Sequence, residues 1–230
     1  MTTPRGVIET QHVVHATNAW ASHLLPGMRE RIVPLRGMVN AQMPRAGLGW
    51  DGTRSFVFYP GDSMDVLDYM TQQPMGGVAG RSPSGEVMFG GGILLSKGWI
   101  EDVGNTDDGS WNPDTGRHLA EALDGYFATR VGDIAAAWSG IMGISTDDMP
   151  WVGQVPEWIS GRASGGEWIA AGYSGEGMAH SWLSGRAVAE MIGGGGSGDV
   201  PVAMSVGRER WAATGVEEAV LRMGAGHVRK

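Results

Sequence analysis

Cysteine does not occur in this 230-residue chain. That absence excludes a disulfide framework, a thiolate zinc site and a cysteine nucleophile, and it suits a reducing compartment. Positive charge is scarce: 17 Lys and Arg stand against 25 Asp and Glu, a net charge of −8. Nucleic acid and anionic membrane surfaces both need basic patches, so neither is expected as a partner. No apolar run approaches the ~20 residues that cross a bilayer. The first twenty residues hold no basic segment leading into an apolar one, so a cytoplasmic location is expected. A nucleophile elbow is also missing, because Gly172-Tyr-Ser-Gly-Glu176 places Glu where a second glycine is required. His12 and His15 point to opposite faces of a strand candidate with no third ligand nearby, so no metal site is expected.

Glycine and tryptophan are abundant, at 39 and 10 residues. Many glycines sit beside apolar residues, a pattern of close backbone approach inside packed structure. The length suffices for one large or two small domains. The richest stretch runs from 167 to 192: a short apolar strand (167–171), a turn (172–177) and a helical pattern. Met178, Trp182, Gly185, Val188, Ala189 and Ile192 fall at spacings of three and four, which predicts one buried helix face. The first amides of such a helix lack intrahelical partners and lie at the positive end of its dipole, so they attract an electron-rich group. Glycines at 175 and 177 let that group approach the backbone. Gly175-x-Gly177-x-x-His180 is an incomplete dinucleotide fingerprint, and the helix runs into a glycine linker where an acidic strand end would be needed. An adenine-nucleotide site is therefore not read at this turn.

Earlier in the chain, residues 6–16 read as strand, with Val13, Val14 and Ala16 buried, before a short helix at 19–25 that stops at Pro26-Gly27. Residues 32–42, 55–60, 67–73 and 86–92 read as strands, the last three antiparallel, and the 55–60 strand has both faces covered. Residues 74–85 and 96–112 read as loops. Asn112-Pro113-Asp114 reads as cap, first-turn proline and dipole-compensating acid, and Leu119, Leu123, Tyr126 and Phe127 supply that helix with an apolar face. An apolar run follows at 136–144, broken by Gly140 and Gly143, and then a polar turn at 147–150. The tail has a weak helical pattern at 216–223.

Two stretches carry a resemblance. WSGIMGISTDDMPWVG (138–153) and WIAAGYSGEGMAHSW (168–182) together resemble the C-terminal signature of FAD-dependent oxidoreductases of the D-amino-acid oxidase, glycine oxidase and sarcosine oxidase superfamily, with the fungal members most similar. VVHATNAWA (13–21) resembles the family's strand returning to the nucleotide-binding sheet, with Asn18 in place of a glycine; Asn tolerates left-handed angles. PLRG (34–37) resembles the entry to the substrate domain. A flavin linked through cysteine, as in some relatives, is excluded by composition.

The resemblance implies FAD as cofactor. Gly175, Glu176, Gly177 and Met178 would offer backbone N–H groups to flavin O2 and N1, stabilising charge that builds there on reduction. Thr17 and Asn18 would pass close to the ADP half, and Gly140 belongs with the flavin-facing segment. Arg36 has two readings: a bidentate contact with FAD or an anionic substrate, or a structural ion pair. Tyr59, Trp138 and Tyr173 are candidates for substrate or ring packing, against ordinary core packing. Gln73 stands where relatives often carry arginine, so that substrate contact does not carry over. Asp147 and Asp148 read as a structural turn near the flavin.

The implied fold is α+β: an antiparallel or mixed-sheet substrate domain (31–137), and a Rossmann-like FAD-binding part made of residues 1–30 and 138–195, with linker and tail at 196–230. The family's opening glycine loop has no counterpart in this sequence, so the FAD-binding part is expected to be incomplete, with the strands at 13–16 and 168–171 open at their edges. The implied function is oxidation of a small-molecule amine or amino acid by hydride transfer to flavin, with oxygen as acceptor. The alternative is a non-catalytic remnant, or one half of a split flavoenzyme whose partner chain supplies the missing nucleotide-binding half.

Overall fold

The computed structural model describes residues 1–44, 52–59, 67–74, 85–93, 99–128, 131–163, 165–196 and 200–217. The chain forms two units, one of Met1–Leu35 with Met142–Leu221, the other of Arg36–Ile141 with Arg222–Lys230, whose residues lie outside the described ones. The chain crosses between them inside two long strands, β4 (Ile32–Pro44) and β8 (Gly132–Ser145).

The first unit opens with a small exposed hairpin, β1 (Thr2–Thr3) and β2 (Gly6–Val7). Its main sheet contains β3 (Val13–His15), β9 (Trp151–Gln154) and β10 (Glu167–Ala171) in the order β3-β10-β9. β10 runs parallel to β3 and antiparallel to β9, with Ile169 opposite both His15 and Gly153. All five β10 residues are buried, as a strand covered on both faces requires. On one face Ile169 and Ala171 join Leu25, Met28, Ile32, Trp151 and Ile159, drawing in α1 (Ala21–Leu24) and α3 (Glu157–Ser160). On the other, Trp168 and Ala170 pack with Val152 and Val188 from α4 (Gly177–Ile192).

Several expectations are corrected here. The strand at 168–171 has no open edge, because β3 and β9 flank it. Val14 and Ala16 are exposed and Val13 half-buried, whereas His15 is buried. Strand alternation puts His15 on the same face as Ile169 and Glu167, while Val14 faces the side where α4 lies mainly over β9 and β10. Burial pushes the His15 pKa down, and nearby Arg162 adds to this. In α4 the buried positions are Ser184, Ala187 and Val188, with Met191 and Ile192 partly covered. Met178 is fully exposed, Trp182 is 83 % exposed, and Gly185 and Ala189 face solvent. The helical period is the expected one, but the packed face is rotated because only the later turns lie on the sheet.

The tail also differs from expectation. Residues 202–204 form a 3-10 turn and α5 (Arg208–Ala213) follows, ahead of the expected 216–223 helix, most of which lies outside the described residues. Trp211 and Val206 pack against the core of this unit. The Trp211 indole N–H donates to Gly27 O at 2.7 Å, its ring meets Trp158 edge-on, and Arg31 lies over it.

The second unit is a five-stranded sheet built with β5 (Ser55–Phe58), β6 (Asp68–Gln72) and β7 (Val87–Gly91) in the order β5-β6-β7-β4-β8. β5-β6-β7-β4 are antiparallel, with Phe56 opposite Met70, and Phe89 opposite both Met70 and Asn40. α2 (Pro113–Phe127) begins as the sequence predicts: the Asn112 side chain accepts the Asp114 amide at 2.9 Å behind a first-turn proline. Leu119 and Leu123 pack on Met38, Met70, Val87 and Phe89, with Tyr126 stacked on Phe58 at 4.3 Å. The residues read as loop at 96–112 include a 3-10 turn, Trp99–Asp102, while 94–98 lie outside the described residues. α2 thus covers one face of the sheet, and no helix among the described residues of this unit covers the other. The expected double covering of β5 is corrected: Phe56 and Phe58 turn inward and Val57 is 53 % exposed.

Candidate functional site

The turn that leaves β10 is held from three sides within the first unit. Gly172, Ser174 and Gly175 all take positive φ, at +78°, +50° and +93°. The Asn18 side-chain oxygen accepts the amides of Gly172 and Tyr173 at 3.0 and 3.3 Å. Asn18 itself sits at φ +45°, the left-handed conformation that Asn tolerates. Gly143 makes room for it: a Cβ there would lie 2.6 Å from the Asn18 side-chain oxygen. Ser174 donates its amide to Gly143 O at 2.9 Å and accepts the Ser145 amide on its hydroxyl at 3.0 Å.

The clamped turn presents the start of α4. Glu176 donates its amide to Tyr173 O and caps the helix without a side-chain bond. Among the described residues, the amides of Gly175, Gly177 and Met178 have no acceptor. Nothing lies within 4 Å of a Cβ built on Gly175, and only Tyr173 approaches one built on Gly177. Gly175 and Met178 are exposed and Gly177 half-buried, so three N–H groups at the positive end of a 16-residue helix are available to an electron-rich edge. On this evidence the residues present fit the pyrimidine edge of a flavin.

The remaining predicted residues divide between the units. Thr17 is exposed beside Asn18, and its carbonyl accepts the Trp20 amide. Tyr173 is only 8 % exposed; burial raises its hydroxyl pKa, and a contact from Ser184 partly offsets this. Gly140, Tyr59 and Trp138 belong to the second unit and are exposed.

Arg36 is buried and engaged. Its Nε donates to Asp102 Oδ1 and its Nη1 to Ser110 Oγ, both at 2.8 Å, and Asp102 is 2 % exposed. Asn112 adds a bond to the second Asp102 oxygen, and Ser139 Oγ reaches the carbonyls of Asp108 and Ser110. This is the structural ion pair of the two readings, fastening the segment at 102–112 to β4 and β8. The dent beside it, lined by Met38, Trp111 and Thr115, encloses no space for a small molecule. Asp147 likewise serves a turn, accepting from Ser145 Oγ, the Met149 amide and Arg210.

The sheet face opposite α2 in the second unit holds a residue that sequence reasoning missed. Tyr69 alternates with buried Asp68 and Met70 and lies against Gly90, where a Cβ would come 2.5 Å from the Tyr69 hydroxyl. Val57, Tyr59, Ile134 and Trp138 are exposed on the same face, and none of its described strand residues is charged. The signal for Tyr69 was the alternation of the 67–73 strand.

Residues 1–191 match the family described as FAD dependent oxidoreductase (DAO). No curated protein matches the chain. Among solved structures it resembles glycine oxidase from Geobacillus kaustophilus, with TM-score 0.62 and 19% identity over 90% of this chain and 48% of that one. L-proline dehydrogenase from P. horikoshii gives 0.59 and 24% over 87% and 47%. Fructosyl amine:oxygen oxidoreductase (Amadoriase I) from Aspergillus fumigatus gives 0.62 and 12% over 96% and 46%. At these identities the likeness establishes a shared fold, and the chain spans less than half the length of each of these structures.

Proposed function

Because the chain belongs to the DAO family of FAD-dependent oxidoreductases, we propose that it takes part in oxidising a small-molecule amine or amino acid, with oxygen as electron acceptor. When bound, FAD supplies a two-electron acceptor for the hydride on the carbon bearing the substrate nitrogen. The observation that carries this reading is the set of unpartnered amides at Gly175, Gly177 and Met178, held open by the Asn18 and Gly143 contacts. Those amides stabilise negative charge at flavin O2 and N1 from a pre-ordered backbone. Thr17 and Asn18 form the adjoining turn on the ADP side. The face with Tyr59, Tyr69 and Trp138, whose described strand residues carry no charge, serves as a substrate wall, its aromatic rings burying hydrocarbon while the tyrosine hydroxyls orient polar atoms. The structures named above include oxidases of glycine and of a fructosyl amine, which supports a nitrogen-bearing substrate.

A second reading has its own support, because the chain spans under half of those structures. In it the chain acts as one half of a split flavoenzyme whose partner chain supplies nucleotide-binding elements, or as a remnant without catalysis. Titration of the purified chain with FAD separates the two. Quenching of flavin fluorescence that saturates supports an autonomous flavoenzyme, and unchanged fluorescence supports dependence on a partner or loss of cofactor. Gly175→Val is expected to abolish flavin retention while leaving secondary structure intact; undiminished retention would overturn the placement of the ring.

A further inference from the structure

α5 lies in the tail, beyond the 191 residues that match the family, yet its Arg210 is among the most heavily engaged side chains in the first unit. Its Nε and Nη2 grip both Asp147 oxygens at 2.7 and 2.9 Å. Nη1 donates to Pro150 O at 3.0 Å and to Ser205 O at 3.3 Å, and Nη2 also reaches Met149 O. The guanidinium lies 3.7 Å over the centre of the Trp151 ring. A two-pronged, charge-assisted grip of this kind is specific to arginine, since lysine cannot match its planar fork.

From Asp147 the contacts continue inward. Its Oδ1 accepts the Ser145 hydroxyl at 2.6 Å, and Ser145 Oγ accepts the Trp151 indole N–H at 3.0 Å. Ser145 is fully buried, and its amide donates to the hydroxyl of Ser174 at 3.0 Å. Ser174 stands inside the clamped turn at φ +50° and is tied to Gly143 O. Every link lies within one unit.

We propose that Arg210 is a positioning residue: through Asp147, Ser145 and Ser174 it fixes the turn at 172–177 and so the three open amides at the start of α4. The ordering of the turn stands on these contacts alone; the consequence for FAD rests on the function proposed above. Without Arg210, Asp147 keeps only Ser145 Oγ and the Met149 amide as donors. Ser145 then loses the fixed anion that orients its hydroxyl, and Ser174 loses a rigid donor.

The test compares Arg210→Ala and Arg210→Lys with Arg208→Ala, which removes only the cation over Trp158 and touches no member of the relay. Hydrogen–deuterium exchange without cofactor reads the hydrogen-bonded amides of Tyr173, Ser174 and Glu176. Both Arg210 variants are expected to exchange there about tenfold faster or more, with β10 at parental rates and Arg208→Ala like the parent. If Arg210→Ala does not fold, Asp147→Asn is expected to give the same local acceleration. Parental exchange in the turn of the folded variants, or equal acceleration in Arg208→Ala, overturns the proposal. FAD titration is the second readout, with binding weakened about tenfold in Arg210→Ala. Failure of the parent to bind FAD would count against the proposed function and leave the exchange result to decide this inference.

Discussion

Asn18 and Gly172 lie 154 positions apart, and the Asn18 side-chain oxygen accepts the Gly172 amide at 3.0 Å. The same oxygen takes the Tyr173 amide, so one side chain joins the turn after β3 to the turn after β10. Asn18→Gly keeps the left-handed backbone and removes the acceptor. It is expected to cost about 1–3 kcal/mol, read as a lowered midpoint in urea unfolding. Asn18→Asp, which keeps an acceptor oxygen, is expected to lose less. Gly143→Ala places a methyl 2.6 Å from that oxygen and 2.7 Å from the Ala19 amide, and is expected to destabilise by about 1–3 kcal/mol.

Asp147 gives a pH dependence. Burial opposes its ionisation, but hydrogen bonds from Arg210 and Ser145 outweigh burial and hold its pKa below the ordinary 3.8. A carboxyl depressed in the folded state adds stability above its unfolded pKa and loses it as pH falls through the folded value. The difference in thermal midpoint between the parent and Asp147→Asn is therefore expected to be full above pH 3.8 and to shrink below it. A difference that grows on acidification would contradict the geometry.

Under α2, Asp68 is 0 % exposed, and its Oδ2 lies 2.6 Å from the Tyr126 hydroxyl and 2.7 Å from His118 Nε2. Its other oxygen is buried and has no hydrogen-bond partner among the described residues. Burial and the hydrogen bond to Asp68 push the Tyr126 pKa far above its ordinary 10. Stability gained this way is present below pH 10 and is lost as pH rises through the folded value. Tyr126→Phe is expected to cost about 1.5–3 kcal/mol near neutrality, because a charged acceptor loses a donor. Parent and variant are expected to converge in stability on strongly alkaline titration.

The substrate wall is tested at Tyr69, whose ring rests on Gly90. If the chain binds FAD, Tyr69→Ala is expected to raise the substrate concentration for half-maximal flavin reduction about fivefold or more while leaving FAD affinity unchanged. Gly90→Val would displace the same ring and is expected to act in the same direction. Loss of FAD affinity in either variant would place the residue in a different role.

Local rules explain what was legible in the sequence. Asn112, Pro113 and Asp114 announce α2 because capping is decided within four residues. β5, β6 and β7 were readable because their alternating runs are bounded by turn residues. The turn and helix after β10 were found for the same reason. The packed face of α4 was not, because it depends on which turns overlie β9 and β10. Arg36 finds Asp102 66 residues away, and Arg210 finds Asp147 63 residues away; neither pairing leaves a local mark. Asp68 reads against hydropathy, since a buried carboxylate becomes tolerable only once Tyr126 and His118 arrive from α2.

Trp182 stands four residues, roughly 6 Å of helix rise, beyond Met178, with its indole almost entirely in water. Such a ring emits at the long-wavelength end of tryptophan fluorescence and is quenched or blue-shifted when another surface covers it. The difference in emission between the parent and Trp182→Phe isolates its light from that of the other nine tryptophans. The exposed N-terminal half of α4 thus carries its own optical gauge of arrival, whether the visitor is a small molecule or a second polypeptide.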